Sequence, residues 1–171
     1  SVVVEMKDAQ GRLGWQSEQP LAGAAKLPGA DAPELNEQLS AWNQKEFYTI
    51  ARLSCFQDEA LGSNMAHTIR TSSGYRWKDG GGLHWASPSD QEVQDYLVGL
   101  MVELAQLGFD EILLDNWAFP TDGELGWIKA DANYPADGRT AALLERADRV
   151  LVRLGEGETL PRLNQTPVVP V

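Results

Sequence analysis

The chain has 171 residues, of which 43% are hydrophobic and 23% charged, and its formal net charge is −11 at pH 7. This length and composition predict one globular domain with a sizeable core. The negative charge argues against nucleic acids and anionic membrane surfaces as partners, because binding phosphates requires clustered Lys and Arg. A neutral or cationic ligand is compatible with this charge, and so is a role in solubility alone.

The chain opens on a short β-branched segment, Val2–Met6, which predicts a first strand. The first methionine lies inside this apolar run, and the run lacks a signal-peptide pattern, so we expect natural sequence upstream of Ser1. Nowhere along the chain do apolar residues approach the roughly 18 in succession that a transmembrane helix needs.

Apolar residues at helical spacing then predict a helix from Pro33 to about Asn43, and Phe47–Leu53 has the pattern of a second strand. The only cysteine, Cys55, follows that strand. A lone cysteine excludes an internal disulfide, and its apolar surroundings favour a small buried hydrophobe over a nucleophile.

The strongest helical pattern runs from Asp90 to Leu107, with Ser89 as its predicted N-cap and Gly108 as its stop. A third strand, Phe109–Asp115, follows at once. Farther along, the spacing of leucines predicts another helix from Arg139 to Leu154.

The order of strands and helices predicts an α/β domain with a parallel sheet and right-handed crossovers. Three long loops, over residues 8–31, 56–88 and 116–138, follow the predicted strands. Loops of this length are usually functional, and the carboxyl ends of parallel strands are where α/β proteins build their sites.

Charged residues recur at alternate positions of the predicted strands, and therefore on one face of each strand. Because side chains alternate along a strand, Lys7, Arg52 and Asp115 are predicted to converge at the carboxyl ends of adjacent strands. Two cations beside Asp115 would favour its ionised form, and such a carboxylate can act as a nucleophile or stabilise an oxocarbenium ion. A structural salt-bridge cluster explains the same pattern. Glu5 is compatible with either role, and Glu111, lower in its strand, with the structural one.

The loops also carry aromatic residues, whose faces suit the apolar faces of sugar rings. Trp85 and Trp117 are the candidates for stacking on a ligand, because they lie near strand ends or a helix entry. The alternative is that such residues hold the loops against the body of the domain. The loop aromatics considered for this role are Tyr75, Trp77, Trp85, Trp117, Phe119 and Trp127.

Neither a metal nor another cofactor is predicted. The only histidines, His67 and His84, are far apart in the sequence, and no zinc-binding or EF-hand spacing occurs. The glycine run at residues 80–82 lacks a phosphate-binding pattern and follows no strand, which indicates a flexible turn.

Four segments in order resemble one known family: residues 3–8, 50–58, 85–88 and 108–120. The most specific parts are the Gly-Phe-Asp-Glu-Ile…Asp…Phe-Pro stretch within 108–120 and the Ala-Arg…Phe-x-Asp stretch within 51–58. They resemble a bacterial glycoside hydrolase domain family with an α-amylase-like or α-galactosidase-like (β/α)8 barrel. The resemblance covers about residues 1–123. It implies that the first strand here is the barrel's second and that Asp115 ends the fourth.

The resemblance also implies roles for individual residues. Asp115 becomes the nucleophile, Lys7 and Arg52 line the site, and Asp58 becomes a loop ligand to the substrate. An extracellular or cell-surface location is implied as well.

The sequence departs from the family pattern in several places. The barrel's first strand and its strands five to eight, expected after Gly123, are not recognisable. Family members often carry Asp where Glu5 stands and a Tyr-Arg pair where Trp117-Ala118 stands. No general acid is identified; Asp122 and Glu124 in the following loop are the only suggestions.

We therefore expect residues 1–154 to form a partial (β/α)8 glycoside hydrolase-type domain that acts on O-glycosidic bonds of a poly- or oligosaccharide. Residues 155–171 are expected to be a loop or linker, or one further short strand. Pro167 and Pro170 count against the strand, because proline cannot donate a backbone hydrogen bond to a neighbouring strand. The alternatives are a non-catalytic carbohydrate-binding or cell-envelope domain on a degenerate barrel, and a purely structural module. The sequence makes no prediction of oligomeric state.

Overall fold

A computed structural model describes residues 1–23, 25–28, 35–45, 47–140, 143 and 168–170. Its elements alternate between strands and helices, with short helical turns in the loops. In chain order they are β1 (Val2–Lys7), α1 (Leu35–Gln44), β2 (Thr49–Ser54), α2 (Glu59–Gly62), α3 (Gln91–Leu107), β3 (Glu111–Asp115), a 3₁₀ turn (Leu125–Trp127) and β4 (Val168–Pro170).

The four strands form one sheet in the order β1-β2-β3-β4, and every neighbouring pair is parallel. The prediction of an α/β domain with a parallel sheet is confirmed. The strand at the end of the chain pairs with β3 through Ile112 and Val168, so the tail contributes the short strand that was one of its two alternatives.

The sheet buries one face against α3. Ala51, Leu53, Ile112 and Leu114 alternate along β2 and β3 and are buried, while the opposite face carries partly or fully exposed residues such as Arg52. This period of two matches the pleat of a strand. The core therefore lies on one side of the sheet, and the other side is open around its carboxyl end.

Helix α3 supplies the other half of the core. Its apolar stripe is buried, and Gly108 ends it with a left-handed φ of 100°. The predicted N-cap is wrong by one residue: Asp90, not Ser89, accepts hydrogen bonds from the backbone N–H groups of Glu92 and Val93. A carboxylate at this position also interacts favourably with the positive end of the helix dipole.

The two weaker helix predictions have different outcomes. The helix predicted from Pro33 to Asn43 is present as α1, although Pro33 lies outside the described residues. Of the helix predicted from Arg139 to Leu154, only residues 139, 140 and 143 are described, and all three are helical. The remainder of that prediction lies outside the described residues.

A buried ion pair joins β1 to the loop after β2. Lys7 and Asp58 have side chains that are 0% and 1% exposed, and Lys7 Nζ lies 2.7 Å from Asp58 Oδ2. Lys7 also donates to the Ser54 carbonyl oxygen at 2.5 Å, and Asp58 Oδ1 accepts from the Leu61 amide at 2.8 Å as the N-cap of α2. These hydrogen bonds offset part of the cost of removing two charges from water.

Gly11 closes the first loop against this ion pair. A Cβ atom at position 11 would lie 2.4 Å from Asp58 Oδ1, and the backbone φ there is +81°. Glycine is therefore required at this position by both space and conformation. The loop after β1 and the loop after β2 meet at the same buried carboxylate.

Replacing Lys7 by Met is expected to destabilise the protein by about 3–5 kcal/mol, because it leaves the Asp58 charge buried without a counter-charge. Urea denaturation measures the free energy of unfolding. The matched control is Arg12→Met, which removes the half-exposed partner of Asp8 and is expected to cost less than about 1 kcal/mol. The double variant Lys7→Met/Asp58→Asn should recover part of the loss. Equal losses in Lys7→Met and Arg12→Met would contradict this assignment.

The Cys55 thiol is expected to resist alkylation in the folded protein. It is fully buried, and burial raises its pKa to about 12, so the reactive thiolate is scarcely formed at pH 8. Mass spectrometry after iodoacetamide treatment should show an unmodified folded chain and a modified urea-unfolded chain. Rapid labelling without denaturant would show that this region of the core opens readily.

Candidate functional site

A polar cleft of about 310 Å³ lies at the carboxyl ends of β1, β2 and β3. This is the position at which parallel α/β sheets place their ligands. We call it the polar cleft, and it is lined by Glu5, Lys7, Ala9, Arg52, Ser54, Gln57, Asp115 and Asn116. The three charged residues that strand alternation predicted to converge are all among its lining residues.

Arg52 and Asp115 form the strongest contact across the cleft. Arg52 donates from Nε to Asp115 Oδ2 at 3.0 Å and from Nη2 to the same oxygen. These hydrogen bonds raise the pKa of Arg52. The other carboxylate oxygen, Asp115 Oδ1, accepts a hydrogen bond from the backbone N–H of Asn116 at 3.0 Å. The carboxylate is therefore held in a defined orientation while its side chain keeps 26% exposure.

Glu5 is a second carboxylate at the same guanidinium. Its Oε1 lies 3.9 Å from Arg52 Nη1, and β1 and β2 pair with Glu5 opposite Arg52. Because Glu5 and Asp115 both contact one guanidinium, their carboxylates lie within the upper limit of roughly 9.5 Å that applies to inverting pairs of carboxyl groups. The sequence indicated this position for Glu5, because Glu5 and Lys7 are two residues apart in the first strand and were expected on the same face.

Lys7 lines the cleft, but its charge is directed elsewhere. The pairing register shifts between Glu5 and Lys7, and the amine is bound to Asp58 and to the Ser54 carbonyl oxygen. The expectation that two cations flank Asp115 is corrected: within the described residues, Arg52 is the cation that forms an ion pair with Asp115. The register shift is the physical reason, because it places Lys7 opposite Leu53 and out of regular phase with Glu5.

The base of the cleft is a network of uncharged hydrogen-bonding groups that sequence reasoning missed. Asn116 Nδ2 donates to Ser54 Oγ at 3.0 Å and to Gln57 Oε1 at 3.1 Å. Ser54 Oγ in turn donates to the Gln57 carbonyl oxygen at 2.8 Å. These groups lie in two segments that resemble the family, residues 50–58 and 108–120, but nothing in the sequence marks them as one cluster. The pairing of β2 with β3 brings them together.

Asp79 anchors this network from behind. It accepts from Gln57 Nε2 at 2.6 Å and from Trp85 Nε1 at 2.8 Å, and its other oxygen accepts from two backbone amides of its own turn. Burial by itself raises the pKa of Asp79, but these hydrogen bonds lower it overall. An ionised Asp79 thus fixes Gln57 and the indole of Trp85 together.

The structure corrects three of the predicted substrate-binding residues. Trp85 is buried with its N–H bound to Asp79, and Asp58 is buried in the ion pair with Lys7. Trp117 is buried against Phe56, with ring centroids 5.0 Å apart, and its N–H has no hydrogen-bond partner within the part of the chain that is described. None of the three presents a surface to a ligand, because the long loops fold back onto the core.

The histidines form structural pairs with acids. His67 Nδ1 lies 2.8 Å from Asp90 Oδ2, and His84 Nδ1 lies 2.8 Å from Glu59 Oε1. Within the described residues, no cluster of three or more His, Cys, Asp or Glu side chains has the arrangement of a metal site. None of the described helices combines the length and apolarity needed to cross a bilayer.

Solved structures share this fold. A hypothetical protein from Ruminiclostridium thermocellum matches 99% of this chain over 81% of its own, with 22% identity and a TM-score of 0.74. An α-galactosidase from Lactobacillus brevis matches 98% of this chain at 12% identity, with a TM-score of 0.57. An α-L-fucosidase from Paenibacillus thiaminolyticus matches 99% at 14% identity, with a TM-score of 0.56. The chain spans only 22% and 26% of these two glycosidases.

Sequence comparison gives the family. No curated protein matches the chain. A family profile described as "putative glycosyl hydrolase domain" matches residues 1–154, which is most of the chain. This range contains every residue of the polar cleft and agrees with the resemblance found in the four sequence segments. The chain therefore belongs to this glycosyl hydrolase domain family.

Proposed function

We propose that this chain is part of a (β/α)8-type glycoside hydrolase that cleaves O-glycosidic bonds of a poly- or oligosaccharide. The supporting observation is Asp115 at the carboxyl end of β3, held by Arg52 in an open cleft beside a second carboxylate, Glu5. The parallel strand order and the likeness to two glycosidase folds support a barrel-type domain over residues 1–154. The family resemblance alone supports an extracellular or cell-surface location.

Asp115 is proposed as the nucleophile, or as the carboxylate that stabilises an oxocarbenium ion. Arg52 makes two hydrogen bonds to Oδ2 and the Asn116 backbone N–H makes one to Oδ1, which leaves one lone pair of Oδ1 without a protein donor among these contacts. Fixed donors keep the group oriented before the substrate arrives. In a retaining reaction, Asp115 would displace the leaving oxygen at the anomeric carbon and form a glycosyl ester, which water then hydrolyses.

Glu5 is proposed as the second carboxyl group. It is 51% exposed and lies at the rim of the cleft, so it can approach a glycosidic oxygen. Its task would be to protonate the leaving oxygen and then to deprotonate the incoming water. Position 5 carries Glu in this sequence and often Asp in the family that the sequence resembles. A carboxyl group is therefore kept at this position.

Uncharged residues are proposed to bind the sugar. Ser54, Gln57 and Asn116 present hydroxyl and amide groups at the base of the cleft, and such groups exchange hydrogen bonds with sugar hydroxyls. They replace the buried Trp85, Trp117 and Asp58 in this role. The net charge of −11 favours a neutral saccharide over an anionic one.

A second candidate function is a non-catalytic carbohydrate-binding or cell-envelope domain. One observation favours it: both Glu5 and Asp115 contact Arg52, whereas a general acid is usually kept protonated by an apolar setting. Ala118 also stands where the resembling family carries Arg. Saccharide binding by the unmodified chain without any turnover would support this candidate over hydrolysis.

The variant Asp115→Asn is expected to lower glycosidase activity on the order of 10³-fold or more, because the amide cannot attack or offset the developing positive charge. Activity is measured as reducing ends released from a panel of polysaccharides and as aryl glycoside cleavage. The matched control, Asp137→Asn, changes an exposed acid outside the cleft and should retain activity. Full activity in Asp115→Asn would exclude Asp115 as the catalytic carboxylate.

Glu5→Gln is expected to reduce cleavage of sugar–sugar bonds by about 10²–10⁴-fold, because no proton is supplied to the leaving oxygen. Aryl glycosides with a dinitrophenyl leaving group need little protonation and should be affected much less. The ratio of kcat/KM for the two substrate types gives the result. A loss of the same size on both types would assign Glu5 to binding or folding instead of acid catalysis.

A further inference from the structure

Two aromatic side chains stand out from the others by their exposure. Tyr75 is 75% exposed and Trp127 is 64% exposed, whereas Trp77, Trp85 and Trp117 are buried. Burying an aromatic side chain is strongly favourable, so most loop aromatics fold inward. Tyr75 and Trp127 have no such structural use.

The two rings line a common groove of about 600 Å³, which is larger than the polar cleft. We call it the aromatic groove; it is lined by Thr71, Ser72, Ser73, Tyr75, Gly126 and Trp127. Two rings alternate there with three hydroxyl side chains. A Cβ atom built on Gly126 would meet no heavy atom within 4 Å, so the space beside Trp127 is open.

The backbone of the aromatic groove is held in place by hydrogen bonds. The Ser72 amide donates to the Trp127 carbonyl oxygen at 2.9 Å, and the Thr71 amide donates to the Tyr75 carbonyl oxygen at 2.7 Å. Thr71 Oγ1 also accepts from the Tyr75 amide at 3.1 Å. The loops from β2 and β3 are thereby joined, so the rings are presented on a fixed frame. A frame that is already ordered lowers the entropic cost of binding.

The chemistry of the lining identifies the class of ligand. None of the six lining residues is charged, and the chain as a whole carries −11, so an anionic ligand has no counter-charge in the groove. Aromatic faces match the C–H faces of pyranose rings, while hydroxyls exchange hydrogen bonds with sugar hydroxyls. A neutral saccharide satisfies both kinds of surface at once.

We propose that the aromatic groove is a second saccharide-binding site, which holds neutral sugar residues of a polysaccharide outside the polar cleft. Its loops leave the carboxyl ends of β2 and β3, the end at which the polar cleft also opens. A polysaccharide held there stays at the end of the sheet that carries Asp115. The choice of saccharide rests on the proposed function, but binding at this groove requires no hydrolysis.

Affinity gel electrophoresis with soluble neutral polysaccharides tests the proposal, using an α-glucan, a β-glucan, a galactomannan and a xylan as probes and polygalacturonate as the anionic comparison. At least one neutral polysaccharide should retard the unmodified chain, and polygalacturonate should not. Trp127→Ala and Tyr75→Ala should each weaken this binding on the order of tenfold, as for an aromatic contact in a binding hot spot. Trp127→Phe should retain most of it.

Two controls separate this site from others. Phe47→Ala removes an aromatic of 45% exposure that precedes β2 at the opposite end of the sheet, and it should bind as the unmodified chain does. Asp115→Asn alters the polar cleft and should still bind, even if it no longer cleaves. Circular dichroism establishes that each variant is folded.

Three results would overturn the proposal: no retardation by any neutral polysaccharide, undiminished binding in both Trp127→Ala and Tyr75→Ala, or binding abolished only by Asp115→Asn. The last result would place the saccharide in the polar cleft alone. Absence of hydrolysis by the unmodified chain would refute the proposed activity while leaving this binding site in place, so the two failures are distinguishable.

Discussion

The buried ion pair between Lys7 and Asp58 is the constraint on which the carboxyl end of the sheet depends. It joins the end of β1 to the start of α2, where both side chains are buried and each charge needs the other. Gly11 packs on the same carboxylate, so the first loop also takes its position from it. With the amine of Lys7 committed to this contact, Arg52 is left as the cation that contacts Asp115 and Glu5.

Alternate residues of one strand contribute to the core and to the polar cleft. Along β2, Ala51 and Leu53 are buried in the core, while Arg52 between them belongs to the cleft. Behind the cleft, Asp79 binds Gln57 and the indole of Trp85, so that a core aromatic and a cleft amide share one anchor. The loops therefore contribute rigid support for the cleft, and most of their aromatic surface serves that purpose.

Sequence periodicity was sufficient for the regular part of the structure. Alternation in β2 and β3 predicted the meeting of Arg52 with Asp115, because it follows from the pleat of two paired parallel strands. Burial of Trp85 could not be predicted, since it depends on Asp79, which the folding of a 33-residue loop over residues 56–88 brings into contact. The direction of Lys7 depends on the register shift, and no residue type in β1 signals it.

The backbone immediately after Asp115 has a consequence for how such a site can diversify. Asn116 has a φ of 54°, a left-handed conformation that Asn, Asp and Gly adopt far more readily than β-branched or bulky residues. Its side chain nevertheless reaches into the cleft. Few residue types can therefore replace Asn116 without backbone strain. Ser54 and Gln57 lie on ordinary backbone, so a wider range of residue types can stand at those two positions of the cleft.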